Sequence, residues 1–136
     1  MSLNDDERNI MVRLEYERSI KLLDETGKIA SMEMWNTAAS RLYYALFHAV
    51  SALLINDGRP VGSHKGANLK FGQYYIQTGI FPKECGHLYT QMQALRERAD
   101  YNIMFEATKE DFNQMWEPVK DLVAMIGKRL GQTNDN

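Results

Sequence analysis

The run from Ala38 to Ala52 constrains the fold of this chain most, because it is apolar at almost every position. At helical spacing it is hydrophobic nearly all round, as in a helix that is buried on most sides. One narrow polar seam runs along it, with Thr37 just before the run and then Arg41, Tyr44, His48 and Ser51. Since a buried arginine is costly unless it is paired, we expect Arg41 and His48 to have partners elsewhere in the fold.

Length and composition place the chain in a broad class. Its 136 residues suit one domain, and the single cysteine, Cys85, rules out an intramolecular disulfide. The sequence shows neither a signal peptide nor an apolar run of about twenty residues, so we expect a cytoplasmic protein with no membrane partner. A net charge of −2 gives no general attraction to polyanions, so any nucleic acid must be bound by a local cluster.

Apolar periodicity predicts five helices and no strand of useful length. The predicted helices run from Asn4 to near Gly27, from Met32–Trp35 to Ile55, from Gly66 to Gln77, from Lys83 or Glu84 to Asp100–Asn102, and from Thr108 to Leu130. We therefore expect an all-α, five-helix up-and-down bundle over residues 1–130, with residues 131–136 as a polar tail. The apolar surface of the second helix exceeds the needs of one core, which predicts a homodimer through the central helices.

The end of the fourth helix is the second unusual segment, with two arginines and an acid in Arg96-Glu-Arg-Ala-Asp100. Arg96 and Asp100 are four residues apart and share a helix face. One interpretation is a structural ion pair between Asp100 and Arg41. The other is a cleft that binds a phosphate or ribose, because guanidinium groups suit phosphate oxygens and tyrosines stack on bases. The binding candidates are Arg41, Tyr44, His48, Arg96, Arg98, Asp100, Tyr101 and Asn102.

Three motifs together resemble the HEPN domain, a helical domain of prokaryotes and higher eukaryotes. They are Ala-Ala-x-Arg-x-Tyr-Tyr-Ala-x-Phe-His-Ala at 38–49, Ser-His-Lys-Gly at 63–66, and Arg-Ala-Asp-Tyr at 98–101. The resemblance covers roughly residues 7–129 and is nearest to the small stand-alone bacterial and archaeal branch. It implies a bundle that pairs through its central helices. It also implies a place in a two-gene toxin–antitoxin module whose other half is a minimal nucleotidyltransferase. Many HEPN proteins are, in addition, metal-independent RNA endonucleases.

The ribonuclease activity that the resemblance implies requires an arginine followed after four to six residues by a histidine. The positions in question hold Tyr101, Asn102, Ile103, Met104 and Phe105. An asparagine amide cannot exchange a proton near neutral pH. The sequence therefore assigns no catalytic residue and leaves open whether the protein is an enzyme, and we expect neither a cofactor nor a metal.

Three hypotheses remain. The first is a HEPN module that dimerises, works with a nucleotidyltransferase and binds a nucleotide or RNA. The second is an RNA endonuclease in which His48 or Asn102 replaces the usual histidine. The third is a plain helical adaptor braced by Arg41 and Asp100. The other histidines are predicted to be structural, with His64 exposed in an ordinary turn.

Overall fold

The computed structural model of the protein describes residues 3–60 and 62–131, and within these residues it is all α-helical with no strand. The helices are α1 (Asp5–Ser31), α2 (Trp35–Asn56), α3 (His64–Phe71), α4 (Lys83–Tyr101) and α5 (Lys109–Leu130), with a π-helical turn at Gly72–Ile76. The predicted five-helix bundle is confirmed. Residues 132–136 of the predicted tail lie outside the described residues.

Capping side chains fix the starts of the two outer helices, as the sequence predicts. Asn4 accepts a hydrogen bond from the Glu7 amide at 2.8 Å, and the Glu7 carboxylate accepts one from the Asn4 amide at 2.9 Å. Thr108 and Asp111 form the same reciprocal pair at the start of α5. Both arrangements satisfy amide groups that the first helical turn leaves without partners.

The predicted end of α1 near Gly27 is wrong, because the helix continues to Ser31. A glycine lowers helix propensity, but packing against a neighbouring helix can override it. Gly27 faces Trp116 on α5, and a Cβ atom at this position would lie 3.7 Å from the tryptophan ring. The glycine therefore lies within a helix contact rather than after the end of a helix.

The third helix is shorter and less regular than predicted. It begins at His64, because the Ser63 hydroxyl caps it by accepting a hydrogen bond from the Gly66 amide at 3.0 Å. From Gly72 the chain widens into the π-helical turn, which keeps Tyr75 buried in the core. The early start places His64 against Tyr43 and Phe47 of α2.

The central helix, α2, packs against all four other α-helices. Its alanines at 38, 45, 49 and 52 are fully buried. On α1, the Ser19 hydroxyl donates a 2.6 Å hydrogen bond to the carbonyl of Ala45, so the two backbones approach closely. Most of the apolar surface of α2 is therefore buried by the other helices, and only a narrow stripe of the helix is accessible to solvent.

Among the described residues, α2 is also the one helix that is long and apolar enough to cross a membrane. However, 67% of its most apolar window is buried inside the bundle. The core helix of a globular protein meets the same criterion. The hydrophobicity of α2 is explained by its central position.

Candidate functional site

The buried arginine of this fold is Arg96 on α4, which is only 4% exposed. One of its terminal nitrogens, Nη1, lies 3.4 Å from the Tyr101 hydroxyl and 3.9 Å from Asp100 Oδ2. Both contacts are long for charge-assisted bonds, which are usually about 2.7–2.9 Å. Arg96 is therefore buried with weak polar compensation.

Three tyrosine rings surround the guanidinium group of Arg96. The Cζ atom lies 4.7 Å from the ring centroid of Tyr43, 5.7 Å from that of Tyr44 and 5.6 Å from that of Tyr101. A cation at these distances is attracted by the negative face of an aromatic ring. Burial alone acts to lower the pKa of Arg96, but the three tyrosines outweigh it and the net shift is upward. The side chain keeps its charge in spite of its burial.

One hydrogen-bond donor of Arg96 has no acceptor among the described residues. Its Nε atom is buried and makes no hydrogen bond to any of the residues that the structure describes. Buried donors are almost always satisfied, so an exception at a charged side chain calls for an explanation. The guanidinium group has hydrogen-bonding capacity that the described residues do not use.

His64, at the start of α3, reaches the same tyrosines from another direction. Its Nδ1 atom is 2.9 Å from the Tyr43 hydroxyl, and its ring centroid is 4.4 Å from that of Phe47 and 5.6 Å from that of Tyr44. Burial lowers the pKa of His64, and the charges of Arg96 and His48 lower it further against a smaller opposing effect of Glu97. The imidazole is therefore neutral at pH 7.

These side chains make one site, which we call the Arg96 cluster. It consists of Tyr43, Tyr44, His64, Arg96 and Tyr101. Tyr101 is 74% exposed and forms the outer side of the cluster. The cluster combines a fixed positive charge, a neutral imidazole and an accessible aromatic ring, which together can hold a phosphate group and stack on a base.

Of the eight residues predicted from the sequence, the structure brings together Tyr44, Arg96, Asp100 and Tyr101. The proposed pairing of Arg41 with Asp100 is wrong, since Asp100 lies against Arg96 and Arg41 makes no ion pair among the described residues. Asp100 instead accepts a 3.2 Å hydrogen bond from the Ser40 hydroxyl and lies near Arg96. Neighbouring residues on a helix point about 100° apart, so Ser40 faces α4 while Arg41 points to solvent.

The other predicted residues make their contacts with side chains or backbone outside the Arg96 cluster. His48 is half-buried, with Nδ1 2.5 Å from the Glu15 carboxylate on α1. Arg98 is exposed, and its guanidinium group lies over the ring of Phe105 at 5.2 Å. Asn102 accepts a 2.9 Å hydrogen bond from the amide of Met104, which stabilises the turn after α4.

Two members of the Arg96 cluster, Tyr43 and His64, are absent from the candidates that the sequence predicts. The prediction that His64 is exposed is wrong, because its ring is half-buried between aromatic side chains. The Ser-His-Lys-Gly motif at 63–66 was a usable signal, but sequence spacing cannot show that the loop folds back onto α2. The sequence distinguishes Tyr43 only as the first residue of a Tyr-Tyr pair.

The lowered pKa of His64 predicts a pH dependence of folding stability. The imidazole of His64 binds a proton near pH 6.5 in the unfolded chain and only at lower pH in the folded chain. The neutral imidazole therefore contributes to the free energy of unfolding, and this contribution is complete above about pH 6.5. It is lost as the pH falls toward the lower pKa of the folded state. We expect His64→Asn to reduce the fall in thermal midpoint between pH 7.5 and 5.5, measured by circular dichroism. His87→Asn, at an exposed position on α4, is the matched control; an equal fall in both variants would contradict the prediction.

Comparison with known proteins supports the resemblance given by the motifs. The HEPN domain family model matches residues 12–130. A UPF0332 protein of Thermotoga maritima is 31% identical over 78% of this chain and 80% of its own length. A UPF0332 protein of Archaeoglobus fulgidus is 29% identical over 92% and 97%, and a "Putative toxin" of Methanocaldococcus jannaschii is 30% identical over 66% and 70%. The chain belongs to the HEPN domain family.

Proposed function

We propose that this protein is a toxin-like HEPN module whose Arg96 cluster binds the phosphate and base of an RNA or a nucleotide. The observation that carries the proposal is the buried, charged Arg96, which has an unpartnered Nε among the described residues. The toxin-like character rests on family membership and on two relatives from Methanocaldococcus jannaschii that are named putative toxins.

The chemistry of the cluster suits this ligand. A guanidinium group can donate two hydrogen bonds to a phosphate, which would replace its long contacts to Tyr101 and Asp100. The ring of Tyr101 is exposed and can stack on a base without disturbing the core. Binding would rely on this local charge, since the chain as a whole is slightly acidic.

We expect Tyr101→Ala to weaken the binding of a fluorescent single-stranded RNA by about tenfold, because one stacked base contributes about 1–3 kcal/mol. Arg96→Lys should weaken it similarly, since lysine keeps the charge but loses the planar fork. Fluorescence anisotropy at constant salt measures both effects.

Arg98→Lys is the matched control for Arg96→Lys, because it makes the same change on an exposed residue of the same helix. It should leave the affinity nearly unchanged. Equal affinities of the Arg96→Lys variant and the wild type, with circular dichroism showing both folded, would contradict the proposed site.

The two alternative functions have less support. The endonuclease hypothesis puts His48 or Asn102 in place of the usual histidine, but His48 bonds Glu15 and Asn102 bonds its own turn. The adaptor hypothesis named a brace between Arg41 and Asp100, and Arg41 is exposed. We therefore propose a binding module and assign no catalytic residue.

We also propose a homodimer, through a surface that differs from the central helices predicted by the sequence. Because other helices cover most of α2, the central helices alone offer only a narrow stripe. Beside the Arg96 cluster, however, the loop after α4 exposes Ile103 by 96% and Met104 by 90%. Exposed apolar groups of this kind favour association. We propose that two copies meet through this loop and the accessible stripe of α2.

We expect the purified chain, of 15.7 kDa, to have twice that mass by size-exclusion chromatography with light scattering. Ile103→Asp combined with Met104→Asp should give a monomer, because two carboxylates would be buried in the contact. Leu69→Asp, at a position 65% exposed on α3, is the control and should remain dimeric. A monomeric wild type at all concentrations tested would refute the homodimer.

The partner protein is proposed as a minimal nucleotidyltransferase, and the cellular location as the cytoplasm. The partner follows from the resemblance to two-gene toxin–antitoxin modules. We expect this chain, carrying an affinity tag, to co-purify with the product of an adjacent nucleotidyltransferase gene after co-expression. Elution of the tagged chain alone would count against the pairing.

A further inference from the structure

We propose that His64 is the second phosphate-binding side chain of the Arg96 cluster and takes up a proton when the phosphate binds. The inference rests on the proposed function and adds a residue from another part of the chain. The ligand chemistry is a phosphate group, either a phosphodiester of RNA or the phosphate of a free nucleotide.

His64 and Arg96 are linked through shared aromatic neighbours. The Tyr43 hydroxyl lies 2.9 Å from His64 Nδ1, and the ring of the same tyrosine lies 4.7 Å from Arg96 Cζ. The ring of Tyr44 lies 5.6 Å from the His64 ring and 5.7 Å from Arg96 Cζ. The imidazole and the guanidinium group therefore contact the same pair of tyrosines.

The hydrogen bond between the Tyr43 hydroxyl and His64 Nδ1 fits either tautomer of the imidazole. Burial raises the pKa of Tyr43, so its hydroxyl keeps its proton. We assign the proton of the neutral imidazole to Nε2, with the hydroxyl donating to Nδ1. When the imidazole takes up a proton, that proton goes to Nδ1 and the bond reverses, so that Nδ1–H donates to the Tyr43 oxygen. Within the described part of the chain, Nδ1 is the ring nitrogen of His64 that is hydrogen-bonded. The Nε2 hydrogen is then available as a donor to a phosphate oxygen.

The charges around His64 oppose its protonation until an anion arrives. Arg96 on α4 and His48 on α2 act against a second positive charge, while Glu97 on α4 favours it. Tyr43 and Tyr44, also on α2, face the ring as neutral groups. A phosphate bound to Arg96 would offset the guanidinium charge and add a negative charge beside the imidazole. Binding would therefore raise the pKa of His64, and the complex would take up a proton.

The direct test is a histidine NMR titration of the intact wild-type protein. The chain has three histidines, so each imidazole can be followed separately. The probe is a short single-stranded RNA with hydroxyl ends, whose phosphodiesters do not titrate near neutral pH. We expect RNA to raise the pKa of His64 and to leave that of His87 unchanged. An unchanged pKa of His64 in RNA-saturated protein would overturn the inference.

The second test measures affinity against pH. We expect RNA to bind more tightly at pH 5.5 than at pH 8.0, by up to about tenfold for each unit by which binding raises the pKa of His64. His64→Asn should abolish this difference, because its amide oxygen can still accept from Tyr43 but cannot be protonated. His48→Asn and His87→Asn should both retain the difference.

The outcomes separate the inference from the proposed function. Binding whose pH dependence survives in His64→Asn would overturn the inference and leave the proposed function intact. A parallel series with a nucleoside monophosphate identifies the source of the phosphate. Because a monophosphate itself titrates near pH 6, pH-coupled binding of either probe supports the inference when His64→Asn reduces the coupling. If neither RNA nor the monophosphate binds the wild type at any pH, both proposals fail.

Discussion

The burial of one positive charge, that of Arg96, is the constraint on which the arrangement of this site depends. Removing a guanidinium group from water is costly, and the protein compensates for it with three tyrosine rings and one distant carboxylate. These rings come from α2 and from the end of α4, so the charge stabilises the contact between the two helices. The compensation is incomplete, because Nε of Arg96 makes no hydrogen bond to the residues that the structure describes.

The angular position of each residue on α2 decides which of two neighbouring side chains reaches this charge. Ser40 faces Asp100 whereas Arg41 faces solvent, and Tyr43 is fully buried whereas Tyr44 is half-exposed. The close approach of α1, seen at the Ser19 bond to the Ala45 carbonyl, helps to set that rotation. A rotation of α2 by one residue would exchange the roles of these pairs.

In HEPN proteins that cleave RNA, an arginine and a nearby histidine of the same segment form the active pattern. In this chain the segment after Arg96 lacks such a histidine, and the histidine that contacts the tyrosines around Arg96 comes from the start of α3. The arrangement places a titratable group and a fixed charge against the same two tyrosines. This geometry supports the proposed binding role and assigns no catalysis.

The sequence by itself determined the helical class, most helix boundaries, the central place of α2 and the importance of the segment around Arg96. These depend on local periodicity, capping residues and hydrophobicity, which act over a few neighbouring positions. The exceptions, Gly27 within α1 and the early start of α3, arose where packing overrides propensity. Only the tertiary structure decided that Arg96 rather than Arg41 is buried, that His48 pairs with Glu15 and that His64 joins the tyrosines. Those outcomes depend on the rotation of the packed helices and on the path of the loop before α3. The spacing of residues in the sequence determines neither of them.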